Sequence, residues 1–113
     1  MFKVSQKRTI NWPALISVPV EGGTVRTHEV NVEFEDLPQS EQDDVYKGGG
    51  NDTDLMKRVI KGWKPGQFTD ERDADIEFSP ESLVKLLDIA YVQAALVRAY
   101  IELHSGRAAV RKN

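Results

Sequence analysis

From Ser79 to Gly106 the chain reads as one long helix, and any fold it adopts must find cover for that helix. Ser79 has the short hydroxyl that suits an N-cap, Pro80 stands where a first-turn proline costs no hydrogen bond, and Glu81 favours the positive end of the helix dipole. The apolar periodicity continues to His104, and Gly106 stands just beyond it as a stop. The spacing predicts a helix over about 80–104 with two apolar stripes. One is Leu83, Leu86, Ala90, Ala94, Val97 and Ile101; the other is Ile89, Val92, Leu96, Ala99 and Leu103. One stripe is enough to sit on a small sheet. A second means burial on both sides, or one side offered to a partner.

The first third supplies the sheet. Ala14 to Val20 is apolar and rich in β-formers, and Pro19 near its end suggests an edge position. Glu21-Gly22-Gly23 signals a turn. Thr24 to Phe34 then alternates, with Val30, Val32 and Phe34 on one face and Asn31, Glu33 and Glu35 on the other. This predicts an antiparallel β-hairpin or small sheet over about 2–35. Trp12, Ile16, Val18 and Val20 face the second strand's apolar residues, and Phe2 and Val4 supply a short extra strand. An isolated hairpin is marginal in water, so the sheet must pack on something.

The middle is helical and broken. Short helices are expected at about 39–47, opening at Pro38 or Ser40, and at about 52–61, capped by Asn51 or Asp52. Gly48-Gly49-Gly50 separates them, Leu55, Met56, Val59 and Ile60 form the second helix's stripe, and Gly62 ends it. Residues 64–78 form a polar, flexible loop with Pro65-Gly66 and five acidic side chains, a length that in a compact domain points to function or mobility. The fold class is therefore α+β. With 113 residues it is one domain over 1–113, ending in a frayed basic tail at about 107–113.

No residue pattern calls for catalysis, a cofactor or a metal. There is no cysteine, which removes disulfides and thiolate zinc sites and favours a reducing compartment. Gly48-Gly49-Gly50-Asn51 lacks the Lys-Ser/Thr ending of a phosphate loop. Asp70 to Glu81 has acids at the first and last places of a calcium loop, but Arg72 and Ala74 occupy liganding positions and Asp75 replaces the required glycine. His28-Glu29 opens like a zinc-protease motif, yet Val32 stands where the second histidine belongs. His104 lies near a helix end and is expected to serve its free carbonyls and dipole.

The net charge of −3 argues against nucleic-acid binding, which needs a basic field. No stretch approaches the roughly 18 apolar residues of a membrane span, and the opening residues do not read as a signal peptide. A cytoplasmic binding protein, not an enzyme, is the expectation. Tryptophan and tyrosine are favoured interface anchors. Trp63 at the mouth of the acidic loop, with Val92, Leu96, Tyr100 and Leu103 on the last helix, is the expected partner-binding surface.

Several stretches carry a resemblance. Gly62-Trp63 and the acidic loop, Phe78-Ser79-Pro80-Glu81-Ser82-Leu83 with Leu86-Leu87, and Ala94 to Tyr100 are similar to the second half of small phage tail assembly chaperones. So are Ser105-Gly106-Arg107, the closing Arg111-Lys112-Asn113, the opening Met1 to Val4 and the hairpin. One departure is Ala90, where some relatives carry a proline; without it the last helix is expected to run straight. The resemblance implies binding to a phage tape-measure protein in the host bacterial cytoplasm, recruitment of tail-tube subunits, no bond-making chemistry, and absence from the mature virion. A structural tail or head–tail connector component, and a small regulatory binding protein, are the competing readings.

Overall fold

The computed structural model describes residues 1–4 and 8–109. Strands β1 (Arg8–Val20) and β2 (Thr24–Asp36) form a hairpin of 13 residues a side. Helices α1 (Gln39–Lys47) and α2 (Asp52–Val59) follow, then a short strand β3 (Ile60–Gly62), a long connection, and helices α3 (Pro80–Leu87) and α4 (Ala90–Ser105). The sheet is antiparallel with strand order β1-β2-β3. The architecture is α+β, as expected.

The hairpin forms where the alternation placed it. Trp12 pairs with Val32, Ala14 with Val30 and Ile10 with Phe34, so both apolar sets lie on one face. Gly22 and Gly23 turn the chain with φ of 88° and 78°, a region closed to most side chains. Residues 1–4 belong to no strand, and Phe2 and Val4 are exposed; the third strand comes instead from Ile60–Gly62, read from sequence as the end of a helix. Ile60 adopts φ −80° and ψ 119°, leaves α2 and pairs with Phe34. A β-branched residue at a helix end is easily drawn to an open strand edge. Where β3 stops, the Gln67 side chain accepts the Asn31 N–H at 2.7 Å and so extends the ladder by one bond. Pro13, the cross-strand neighbour of Asn31, stands on the free edge, where its missing N–H costs no pairing.

The helix starts follow their caps. Asn51 and Ser79 each accept the backbone N–H of the residue three positions on, and that residue's side chain returns the bond. The triple glycine ends α1: the N–H groups of Gly48, Gly49 and Gly50 donate to Asp44, Tyr46 and Val45 carbonyls at 2.9–3.1 Å, so none is free to cradle a phosphate.

The expected straight helix over 80–104 is two helices. Ile89 is extended, with φ −91° and ψ 113°, and separates α3 from α4 although no proline or glycine stands there. A straight helix of that length is about 38 Å long and could lay only one stripe on a small core. Interrupting it lets Leu83, Leu86 and Leu87 of α3 pack beside α2, while α4 crosses the hairpin through Val92, Ala95, Leu96, Ala99, Tyr100 and Leu103. Phe34, Val32, Leu37, Met56 and Val59 complete the most deeply buried set.

The 64–78 connection is a folded element. Thr69 bridges Asp75, Ile76 N–H donates to Phe68 O at 2.8 Å, and Asp70 N–H donates to Ala74 O at 2.8 Å. Phe68 is buried. No described helix is long and apolar enough to cross a membrane.

Candidate docking furrow on the C-terminal helices

The five side chains expected to meet a partner all lie in the core. Trp63 is 8% exposed, Val92 6%, Leu96 1%, Tyr100 2% and Leu103 4%. Trp63 does not stand at the mouth of the loop as an anchor. Its indole packs against Phe68 and Phe78, with ring centroids 4.7 and 5.0 Å away, and its Nε1–H donates to Ile76 O at 2.8 Å. The indole thereby ties both ends of the acidic connection together. The four α4 residues cover the hairpin, because the interruption at Ile89 rotates the Leu96 stripe inward and leaves the other stripe outside.

That outer stripe is Ala90, Ala94, Val97 and Ile101, spaced by four, three and four, with Ile101 half exposed. It floors an open cleft of about 840 Å³ whose walls include Asp52 at the start of α2 and Arg107 beyond α4. A second cleft, of about 400 Å³, shares Ala90 and Gln93 with the first and reaches back to Val84 and Lys85. A third, of about 530 Å³, shares Val84 and Lys85 and continues to Pro80 and Phe78. Neighbouring clefts share lining residues, so the three lie in a row from the start of α3 along most of α4; this row is the candidate furrow. The α4 part alone runs about 16 Å at 1.5 Å per residue. An elongated row of open, largely apolar clefts suits a helix or strand better than a compact metabolite.

The furrow's rim carries both signs. Arg98 and Arg107 have no ion-pair partner among the described residues, whereas Asp52 is engaged by the Tyr46 hydroxyl at 2.7 Å. Burial and that carboxylate push the Tyr46 hydroxyl up to about 12, so it stays a donor.

Behind the furrow, a polar clasp joins α4 to the β2–α1 corner. The Tyr100 hydroxyl accepts the Leu37 N–H and donates to Glu35 O, each at 3.0 Å. Burial first, against the Leu37 N–H, and then the nearby Asp36 and Glu35 charges push Tyr100 up to about 12. Tyr100 thus serves two backbone groups that would otherwise be left in the core. His104 does not serve helix carbonyls, as the sequence suggested. Its ring meets Asp36, Gln39 and Gln42 and lies parallel to the Tyr100 ring.

Neither look-alike motif assembles. Asp70 Oδ1 accepts the N–H groups of Arg72 and Ala74 at 2.8 and 3.0 Å, and Asp75 accepts that of Gly66 at 2.7 Å, so these carboxylates build turns. Among the described residues no three His, Cys, Asp or Glu side chains converge as a metal set. His28 is exposed on β2, opposite Ile16.

The sequence shows both stripes, and the structure buries the one that carries the residues expected to bind. Side-chain size separates them. Leu96, Tyr100 and Leu103 bring large apolar volume, while Ala90 and Ala94 bring little and are flanked by Gln93, Arg98 and Glu102. Of the closing basic residues, Arg107 lines the furrow, and Arg111 and Lys112 lie outside the described residues. No protein-family model, curated protein or solved structure matches the chain.

Proposed function

We propose that the protein is a non-enzymatic chaperone of phage tail assembly that binds a helical segment of the tape-measure protein in the furrow along α3 and α4, and helps recruit tail-tube subunits around it. The observation that carries this reading is the row of open, largely apolar clefts along α3 and α4, bordered by Arg98 and Arg107, which have no ion-pair partner among the described residues. The resemblance to small tail assembly chaperones supplies the partner. A long helical chain exposes apolar stripes that aggregate in water, and an amphipathic helix laid into a groove hides such a stripe. The small floor residues Ala90 and Ala94 allow close approach of a partner backbone.

Co-expression with the tape-measure protein tests the reading. The chain should raise the soluble yield of that protein and co-purify with it, and Ala94→Glu with Ile101→Glu should abolish both while the far-ultraviolet spectrum is unchanged. If the double variant still solubilises the partner, the furrow is not the contact. If the unaltered chain neither solubilises nor retains it, the chaperone reading fails. Light scattering that found rings or polymers of the pure protein would favour a structural tail component instead.

A further inference from the structure

We propose that His104 is a proton-operated latch beside the docking furrow: protonated, it joins the end of β2 to helix α1; neutral, it keeps α1 and releases β2. Its Nδ1 lies 2.8 Å from Asp36 Oδ1 and 3.0 Å from Gln42 Nε2, and its Nε2 lies 2.9 Å from Gln39 Oε1. Other bonds orient both amides. Gln39 Nε2 donates to Asp43 Oδ1 at 2.9 Å, which turns its oxygen to the ring, so Nε2 of His104 carries a proton in either charge state. Gln42 Nε2 donates to Leu37 O at 2.9 Å, which turns its nitrogen to the ring. Nδ1 therefore stands between a carboxylate, which only accepts, and an amide nitrogen, which only donates. It cannot serve both at once.

With a proton on Nδ1, the imidazolium donates to Asp36 and bridges β2 to α1, and Gln42 keeps only Leu37. Without it, Nδ1 accepts from Gln42, and the Asp36 carboxylate faces a lone pair and must turn away. The proton thus selects the ring's partner.

The groups around the ring come from three directions. The sheet contributes Asp36, with Arg8 as its cross-strand partner; α1 contributes Gln39, Gln42 and, behind Gln39, Asp43; α4 contributes the neutral Tyr100 stacked on the ring at 6.2 Å. The site opens on a cleft of about 370 Å³ between α1, α2 and α4 that shares Asp52, Val97 and Ile101 with the furrow. The latch therefore lies one cleft away from the furrow wall. The inference does not depend on which partner the furrow takes.

Side-chain nuclear magnetic resonance on the intact protein between pH 5 and 9 tests the latch. The chain has two histidines, and exposed His28 serves as the internal reference. As His104 loses its proton, the Gln42 side-chain amide and the Leu37 carbonyl carbon, to which that amide donates, should shift in step with it, whereas Gln93 should not move. The His28 transition should leave all three in place. Asp36→Asn can offer an N–H to the neutral ring, and it should cut the Gln42 response by at least half. Flat Gln42 and Leu37 signals through the His104 transition would overturn the proposal, as would an Asp36→Asn protein that responds like the unaltered one. If that variant does not fold, the response of the unaltered protein decides alone.

Discussion

The two faces of α4 are both apolar and yet do opposite work. The inner face, Val92, Leu96, Ala99, Tyr100 and Leu103, lies against the hairpin and is almost wholly withdrawn from water. On the outer face Ala90, Ala94 and Ile101 are exposed and Val97 is half-buried, and together they line the furrow. The inner face is rich in volume and ends in a hydroxyl and an imidazole that satisfy the β2–α1 corner. The outer face is poor in volume and bordered by charges. A helix sequence can carry both stripes at once, and the side with more to bury takes the core. What remains outside is apolar enough to bind, but small enough to stay in water without a partner.

The largest expected effect comes from breaking the inner face. Leu96→Ala should cost about 2–5 kcal/mol of unfolding free energy in urea titration, since it opens a cavity under α4. A loss below about 1 kcal/mol would mean the inner face is not the core. Next comes Tyr100→Phe, which keeps the ring but strands the Leu37 N–H and the Glu35 carbonyl; about 1–3 kcal/mol should be lost by the same measurement. Removing the caps acts locally. Asn51→Ala and Ser79→Ala should each cost about 1 kcal/mol, with amide exchange quickening first in α2 and α3 respectively.

On the outer face the order of effects reverses. Ile101→Glu should change stability by no more than about 0.5 kcal/mol, while partner binding falls at least about tenfold, as read by calorimetric titration. An equal loss of stability on both faces would erase the distinction between them.

The smallest expected effect lies at Glu35. The Arg58 guanidinium at 2.8 Å holds its carboxyl below the usual range against the opposing effect of burial, and Lys61 at 3.2 Å assists. A carboxylate whose folded pKa is lowered contributes stability above its unfolded pKa of about 4.3. That contribution is lost as pH falls through the lower folded value. Arg58→Ala should therefore reduce stability slightly at pH 7 and match the unaltered protein in strong acid. The Arg58 side chain is 45% exposed, so the pair is solvent-screened and the difference small.

Much of the fold was legible because its signals are local. The alternation at Val30, Val32 and Phe34 needs no tertiary knowledge, and neither do the caps at Asn51 and Ser79 or the stop at Gly48 to Gly50. The errors share one cause. Ile60–Gly62 reads as a helix end until an open edge on β2 recruits it. Ile89 reads as mid-helix because nothing in residues 85–93 breaks a helix; the interruption is imposed by where α2 and the hairpin leave room for leucines. Trp63 reads as an anchor until Ile76, thirteen residues away, comes back to accept its N–H. His104 reads as a helix-end residue until the β2–α1 corner arrives beneath it.

The sequence by itself determined the α+β class, the hairpin and its glycine turn, the starts of α2 and α3, and the presence of two apolar stripes on the last helical segment. Each follows from side-chain periodicity and backbone chemistry within a few residues. Only the tertiary structure decided that the segment is two helices, which stripe is buried, and which is left at the surface. A stripe becomes core by competition for a limited apolar surface, and the outcome depends on residues some sixty positions away, on the hairpin that α4 covers.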